Sequence, residues 1–193
     1  MSRNFVIWSN RYTEGHCVIE GPEGVPDAYR LNKGVPVSKG WPTKAICRMS
    51  NDFPKDLELV DNLYGSRFVV ISKALRDELV GAGVQNVEFL PVQIHNHKKR
   101  LASADYFLLN PPETIDCIDI AASGVTWNSI NPELISTCKK MVLKVASIPD
   151  TTRVLRPKHA PSVILVDATL SKQLTKAKLT GLQFNDPLKF KRA

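Results

Sequence analysis

The stretch that decides the fold runs from Phe68-Val-Val-Ile-Ser72 into Lys73-Ala-Leu-Arg-Asp-Glu-Leu-Val-Gly-Ala82. An apolar run that ends in a serine predicts a buried strand followed by a helix N-cap. The following ten residues have helical spacing, and their apolar face consists of Leu75, Leu79 and Ala82. Gly83 predicts that this helix ends in a left-handed conformation. The alternation over Val87–Leu90 predicts another strand, so the whole unit is strand, helix, strand.

A second unit with the same pattern follows 95 positions later, at residues 163–184. In this alignment Val163-Ile-Leu-Val166 matches the first apolar run. Asp167, which is another favourable N-cap, aligns with Ser72. Of the 22 paired positions, four are identical and ten are apolar in both copies. Any two strand–helix–strand units share part of this pattern. The matching cap and the gapless spacing nevertheless favour a true structural repeat.

The remaining sequence predicts short strands and turns. Strands outnumber helices, so the predicted class is α+β, with a mixed, mainly antiparallel sheet, few short helices and two related strand–helix–strand units. Away from the repeat, the pattern predicts strands at 114–120 and 140–145, short extended pieces at 29–31 and 35–37, and a short helix from Asn131.

Length and composition bound the domain organisation. The chain has 193 residues, of which 43% are hydrophobic, and this supports one large domain or two small lobes. We expect a β-rich lobe at 1–65 and an α+β region at 66–193 that contains the repeat (66–91 and 161–187), all in one compact unit. The N-terminal apolar run is too short for a signal peptide, and no stretch approaches the roughly 20 apolar residues of a membrane span. We therefore expect a cytoplasmic protein that does not contact a membrane.

The charge is unevenly distributed along the chain, which carries a net charge of +7. Residues 101–137 contain five acidic and no basic side chains, whereas residues 138–193 contain 12 basic and three acidic ones. This asymmetry predicts two faces of opposite sign. The acidic candidates for a partner contact are Asp105, Glu113, Asp116 and Asp119, and Trp127 is an aromatic candidate in the same region.

Catalytic and metal chemistry have little support in the sequence. Asp105, Glu113, Asp116 and Asp119 lack an accompanying nucleophile, histidine or glycine-rich phosphate loop, so an acidic contact surface, or simple solubility of a strand edge, is favoured over an active site. His95-Asn-His97 would bind a metal only with a third ligand such as His16 or Cys17, and an exposed turn is favoured. The four cysteines are scattered without a C-x-x-C pair, which predicts free thiols and neither a disulfide nor a zinc site: Cys17, Cys47, Cys117 and Cys138. No cofactor is predicted.

The C-terminal region offers an alternative partner. Its basic side chains would bind the phosphates of a nucleic acid if the chain were a nucleic-acid-binding accessory protein. They are Arg153, Arg156, Lys158, Lys172, Lys176, Lys178, Lys189, Lys191 and Arg192. Nucleic-acid binders usually interleave aromatic side chains or present a known reading module. Because Phe184 and Phe190 are the only aromatic residues here, a solvated basic surface is favoured over nucleic-acid binding.

Four stretches resemble a known family, the eleventh in the numbered series of bacterial immunity proteins from polymorphic toxin systems. They are Val69–Leu79, Val87–Pro91, Tyr106-Phe-Leu-Leu-Asn110 with Ile115-Asp-Cys-Ile-Asp119, and Leu179-Thr-Gly-Leu-Gln-Phe184. The resemblance covers residues 60–187, and before residue 60 only Gly40-Trp-Pro42 suits the family pattern. These motifs are apolar frameworks and not catalytic signatures.

The resemblance implies a cytoplasmic, non-enzymatic protein that binds a cognate toxin in a 1:1 complex and occludes its active site. Many toxins of such systems are nucleases, so a nuclease partner is expected. An inhibitor that mimics nucleic acid tends to be acidic, whereas this chain is basic overall. Either the acidic segment 101–137 makes the contact locally, or the toxin is not a basic nuclease.

Overall fold

The structure, a computed structural model, describes residues 3–191. Within these residues strands predominate, three short α-helices are present, and the sheets are mainly antiparallel, which confirms the predicted α+β class. The strands are β1 (Phe5–Asn10), β2 (Ile19–Glu23), β3 (Ile46–Met49), β4 (Asn62–Leu63), β5 (Val70–Ser72), β6 (Glu88–His95), β7 (Leu101–Asn110), β8 (Thr114–Ile115), β9 (Val125–Trp127), β10 (Ile135–Cys138), β11 (Val154–Pro157), β12 (Ile164–Asp167) and β13 (Leu182–Asn185). The helices are α1 (Lys73–Gly81), α2 (Ile120–Ser123) and α3 (Ala168–Lys176).

The first strand–helix–strand unit, β5–α1–β6, belongs to a six-stranded sheet of order β2-β3-β6-β7-β5-β4. Strand β7 lies between β5 and β6 and is antiparallel to both. The two strands of the unit are therefore parallel to each other without being hydrogen-bonded neighbours. Residues Ile71 and Phe107 are register partners across β5 and β7.

The second unit, β12–α3–β13, has the same arrangement in a five-stranded sheet of order β13-β1-β12-β11-β8. Here β1 is the inserted strand, antiparallel to both β12 and β13. An additional strand pairs antiparallel with the first strand of each unit, β4 beside β5 and β11 beside β12. The two predicted units are thus related in topology as well as in sequence.

Helix α1 has satisfied ends. The Ser72 hydroxyl accepts a hydrogen bond from the Leu75 amide at 3.2 Å, as the N-cap prediction requires. Gly83 has φ +80°, and its amide donates to the Val80 carbonyl, while the Val84 amide donates to the Leu79 carbonyl. This pair of bonds is the Schellman ending that a left-handed residue permits.

The two helices pack into one shared core. The buried side chains of this shared core are Trp8, Ile71, Leu75, Leu79, Val84, Leu109, Val154, Ile164, Val166, Leu170 and Leu174. It contains the leucines that the sequence repeat pairs, two from each helix. Two further clusters lie under the six-stranded sheet and under the five-stranded sheet.

Arg153 links one end of α1 to one end of α3. Its Nη1 donates to the Ala82 carbonyl at 2.6 Å, and its Nη2 donates to Thr169 Oγ1 at 3.2 Å. The same guanidinium lies 3.9 Å from the Asp167 carboxylate, the N-cap of α3. The C-terminal end of α1 therefore lies beside the N-terminal end of α3.

Asp61 links the opposite helix ends. It accepts from Ser72 Oγ at 2.6 Å and from the Thr180 amide at 2.8 Å. Ser72 begins α1, and Thr180 follows α3. Together with the Arg153 link, this contact makes α1 and α3 antiparallel neighbours.

Several local predictions were wrong. Residues Ala28–Asn32 form a 3-10 helix and not an extended piece. The predicted strand at 114–120 ends at Ile115, because Asp119 begins α2. Residues 140–145 form no strand: Leu143 makes an isolated bridge, Val145 begins a 3-10 helix, and Asn131 lies in a turn. These segments depend on contacts with distant residues, which local periodicity does not encode.

Sheet membership does not follow chain order. Strand β1 lies in the sheet of the second unit, whereas β2, β3 and β4 lie in the sheet of the first. The division at residue 65 stays a prediction. Within residues 3–191, no helix is long and apolar enough to span a bilayer.

Candidate functional site

The five predicted contact residues lie in two parts of the fold. Asp105 is exposed on β7, in the six-stranded sheet. The other four surround β8, α2 and β9, beside the core of the five-stranded sheet, and are Glu113, Asp116, Asp119 and Trp127. Among the described residues, no side-chain hydrogen bond joins any two of the five. The acidic candidates are thus divided: Asp105 lies on the six-stranded sheet, and the other three lie beside the five-stranded sheet.

Asp116 is a surface carboxylate with a cationic neighbour. Lys144 Nζ donates to its Oδ1 at 3.1 Å. This hydrogen bond lowers the pKa of Asp116 below its ordinary value, and the nearby charges of His159 and Lys158 act in the same direction. Both side chains of the pair are about half exposed, so the pair adds little to folding stability. A partner would compete with Lys144 for this carboxylate.

Asp119 has a structural role that the sequence did not reveal. Its Oδ1 accepts from the Ala122 amide at 3.0 Å and caps the single turn of α2. Ser123, at the end of that turn, accepts from the Val142 amide at 2.9 Å. Reversing the charge of Asp119 would remove the cap as well as the charge, and so this residue does not isolate a contact.

Trp127 belongs to the β9–β10 hairpin, a two-stranded ribbon separate from both larger sheets. The buried side chains of Ile135 and Cys138 anchor the ribbon in the core. The Ile135 amide donates to the His159 carbonyl at 2.9 Å. The Trp127 ring, 40% exposed, lies edge-on to the His159 ring with centroids 5.2 Å apart. Trp127 is therefore an aromatic surface that the body of the protein fixes in place.

The hairpin tip carries an apolar residue that the sequence analysis missed. Ile130 is 93% exposed, more than any other large apolar side chain in residues 3–191. It stands between Asn128-Ser129 and Asn131-Pro132, four residues that favour turns. A single apolar residue inside a cluster of turn formers is the sequence signal that would have identified it.

The predicted basic run is only partly exposed. Arg156 is buried, its Nη1 donates to the Pro161 carbonyl at 2.6 Å, and burial lowers its pKa to about 10. Arg153 is used in the link between the helices. Arg192 lies outside the described residues. The exposed members are Lys158, Lys172, Lys176, Lys178, Lys189 and Lys191. Two of the arginines suited to bind phosphate are thus engaged inside the protein, which weakens the nucleic-acid alternative.

The histidine pair is divided between a strand end and a turn. His95 ends β6 and its Nε2 lies 3.1 Å from Gln93 Oε1, whereas His97 Nε2 lies 3.0 Å from the Ser50 carbonyl. Across residues 3–191, no group of three or more His, Cys, Asp or Glu side chains is placed to hold a metal ion.

The cysteines are buried free thiols, as predicted. Burial raises the pKa of Cys17 and of Cys117 to about 11 and that of Cys47 to about 12, so these side chains stay protonated near neutral pH. A protonated thiol is a poor nucleophile.

A small pocket lies beside Trp41. Its volume is about 120 Å³, and its lining includes Leu31, Val37 and Pro42. Cofactor and substrate pockets usually have about 300 Å³ or more. This pocket accommodates a few water molecules or one side chain.

The comparison with protein families identifies the chain. The model of the immunity protein family (Imm11) matches residues 21–189. Because this match covers most of the 193 residues, the chain belongs to that family. The match begins well before residue 60, where the resemblance in the sequence motifs starts, and it includes β2 and β3. No curated protein matches the chain.

Proposed function

We propose that the chain binds a cognate bacterial toxin and neutralises it by occluding the toxin's active site, without any turnover of its own. The membership in an immunity family over residues 21–189 carries this proposal. The complex is 1:1, forms in the cytoplasm and protects the cell during competition between bacteria. The proposed contact residues are Asp105, Glu113, Asp116, Asp119 and Trp127.

The local charge supports a toxin with a basic active-site cleft, such as a nuclease. Residues 101–137 carry no lysine or arginine, although the whole chain has a net charge of +7. An acidic surface region meets a basic cleft faster than a neutral one does, because opposite charges steer the encounter. Association is therefore expected to slow as salt is added.

Co-expression tests the proposal directly. The toxin encoded beside this gene is expressed from an inducible promoter, with and without this chain. We expect growth to be restored, and the purified pair to elute as a 1:1 complex by size exclusion with light scattering. The control is Leu165→Asp, which places a charge at a fully buried core position and is expected to abolish both folding and rescue. Continued toxicity in cells that contain the folded wild-type chain would refute the proposal.

A further inference from the structure

The tip of the β9–β10 hairpin exposes an isoleucine side chain to solvent. Ile130 is 93% exposed at the tip, and the partly exposed Trp127 lies three residues before it. Single apolar residues on a surface are common, but an aliphatic and an aromatic residue on one two-stranded ribbon outside both larger sheets form the type of group that anchors an interface. Neither side chain is required by the core beneath the ribbon.

Hydrogen bonds order the tip before any partner arrives. Asn128 Oδ1 accepts from the Ile130 and Asn131 amides, both at 2.9 Å. The Asn131 side chain accepts from the Glu133 amide at 3.1 Å, and the Asn128 amide donates to the Leu134 carbonyl at 2.9 Å. A loop held in this way loses little conformational entropy on binding. The position of Ile130 is thus set by the turn.

The base of the ribbon is also fixed to the body of the protein. The His159 ring contacts Trp127, and its Nδ1 lies 2.8 Å from the Glu133 carbonyl. Ile135 is 2% exposed and holds the second strand in the core. The ribbon therefore presents its tip from a rigid support and not from a mobile loop.

The charge of the ribbon indicates the chemistry of its partner. Glu133 is the one charged residue of segment 125–138, and it is exposed. The surface that fits such a tip is an apolar pocket with a basic or neutral rim. A second copy of this chain, with its net charge of +7, also offers positive charge, but the membership in an immunity family over residues 21–189 favours a toxin as the partner.

We propose that the hairpin inserts Ile130 into an apolar pocket on the toxin, with Trp127 covering the edge of the contact and Glu133 facing the basic rim. This inference rests on the proposed function, because it takes the toxin as the partner. It adds to that function the element that anchors the complex, the β9–β10 hairpin. It also adds the central residue of the contact, Ile130, which is not one of the four acidic candidates.

Calorimetric titration of the full chain against a catalytically inactive form of the neighbouring toxin tests this inference. We expect Ile130→Ala to weaken binding about tenfold and Ile130→Asp about a hundredfold or more, because the pocket would lose its apolar filling or receive a charge. Ile130→Val should stay within about threefold of the wild type. Asn128→Ala keeps the isoleucine but frees the turn, and should weaken binding roughly threefold to tenfold.

Leu188→Asp is the matched control, since Leu188 is also exposed, at 58%, but lies outside the hairpin. Its affinity should stay within about twofold of the wild type, and the Ile130 variants should keep the wild-type melting temperature because Ile130 is solvated. If the wild type binds and Ile130→Asp binds equally well, the hairpin inference is wrong while neutralisation stands. If the wild type does not bind the toxin at all, the proposed function fails and this inference fails with it.

Discussion

The β5–α1–β6 and β12–α3–β13 units share a strand order but differ at both ends of their helices. Helix α1 begins at the neutral Ser72 and is followed by Gly83, at φ +80°. Helix α3 begins at Asp167 and is followed by Lys178, at φ 57°. The leucines that face the shared core are the same in both. Core spacing is therefore the common feature, whereas each helix end is satisfied by different chemistry.

The N-cap of the second unit is a carboxylate that lies between two arginines, whereas the N-cap of the first unit is a hydroxyl. The Asp167 carboxylate lies 3.6 Å from Arg3 Nε and 3.9 Å from Arg153 Nη2. Its Oδ1 also accepts from the Thr169 and Leu170 amides at 2.9 and 3.2 Å. Desolvation alone would raise the pKa of Asp167, but these hydrogen bonds and Arg153 lower it overall. The contribution of the α3 cap to stability should therefore depend on pH.

We expect the largest loss of stability from substitutions of the core leucines in the two helices. Leu75 and Leu170 are both fully buried in the shared core. We expect Leu75→Ala and Leu170→Ala to cost about 3 kcal/mol each, measured by urea unfolding, because each leaves a cavity. The exposed control Val80→Ala should cost less than about 0.5 kcal/mol. A cost below about 1 kcal/mol for only one of the leucines would show that the units do not share the core equally.

The role of the α3 cap can be tested through the pH dependence of the free energy of unfolding. Asp167→Asn should cost about 1 kcal/mol near pH 7, because it removes a partly buried charge from a helix N-terminus and two arginines. A carboxylate with a lowered folded-state pKa stabilises the protein above its unfolded pKa of about 3.9, and this contribution is lost as pH falls through the folded-state value. The difference in the free energy of unfolding between Asp167→Asn and the wild type should therefore shrink as pH is lowered from about 7 through the folded-state pKa.

The exposed substitution Val80→Ala is the control for that experiment as well. It should cost less than about 0.5 kcal/mol both near pH 7 and at acidic pH, because neither side chain titrates. Unfolding curves in urea at each pH give both differences. An Asp167→Asn cost that stays constant with pH would show that the carboxylate acts only as a hydrogen-bond acceptor.

The remaining difference between the two units lies where the helices end. A lysine at positive φ costs roughly 1 kcal/mol relative to glycine, so Lys178→Gly should raise the free energy of unfolding by about that amount. The reciprocal Gly83→Lys should lower it by a similar amount, since a Cβ at Gly83 would meet no atom within 4 Å and only the backbone strain remains. Effects of the same sign from both substitutions would contradict this explanation.

Much of the scaffold could be predicted from the sequence, because it depends on local patterns. The N-caps Ser72 and Asp167 and the left-handed Gly83 follow from residue type and position. The strands inserted between the two strands of each unit could not be predicted. β7 comes from a hairpin with β6, whereas β1 comes from the far N-terminus, about 160 residues before β12.

The candidate surface was predicted less completely than the scaffold. The sequence singled out Trp127 and the acidic segment, and they stay proposed contacts. It did not separate the capping role of Asp119 from the solvated Asp116, because both are aspartates near an apolar strand. It also did not distinguish Arg156 from the exposed lysines, since burial depends on which strands pack over a side chain.

By itself, the sequence determined the helix spacing, the caps, the repeat and the family resemblance, because each is written in residues close together along the chain. The tertiary structure alone decided that Phe68–Pro91 and its counterpart are antiparallel halves of one core joined through Arg153 and Asp61. It alone also decided that the intervening ribbon presents Ile130 to solvent. The physical reason is that long-range pairing and burial arise from contacts between residues distant in sequence, on which local patterns carry little information.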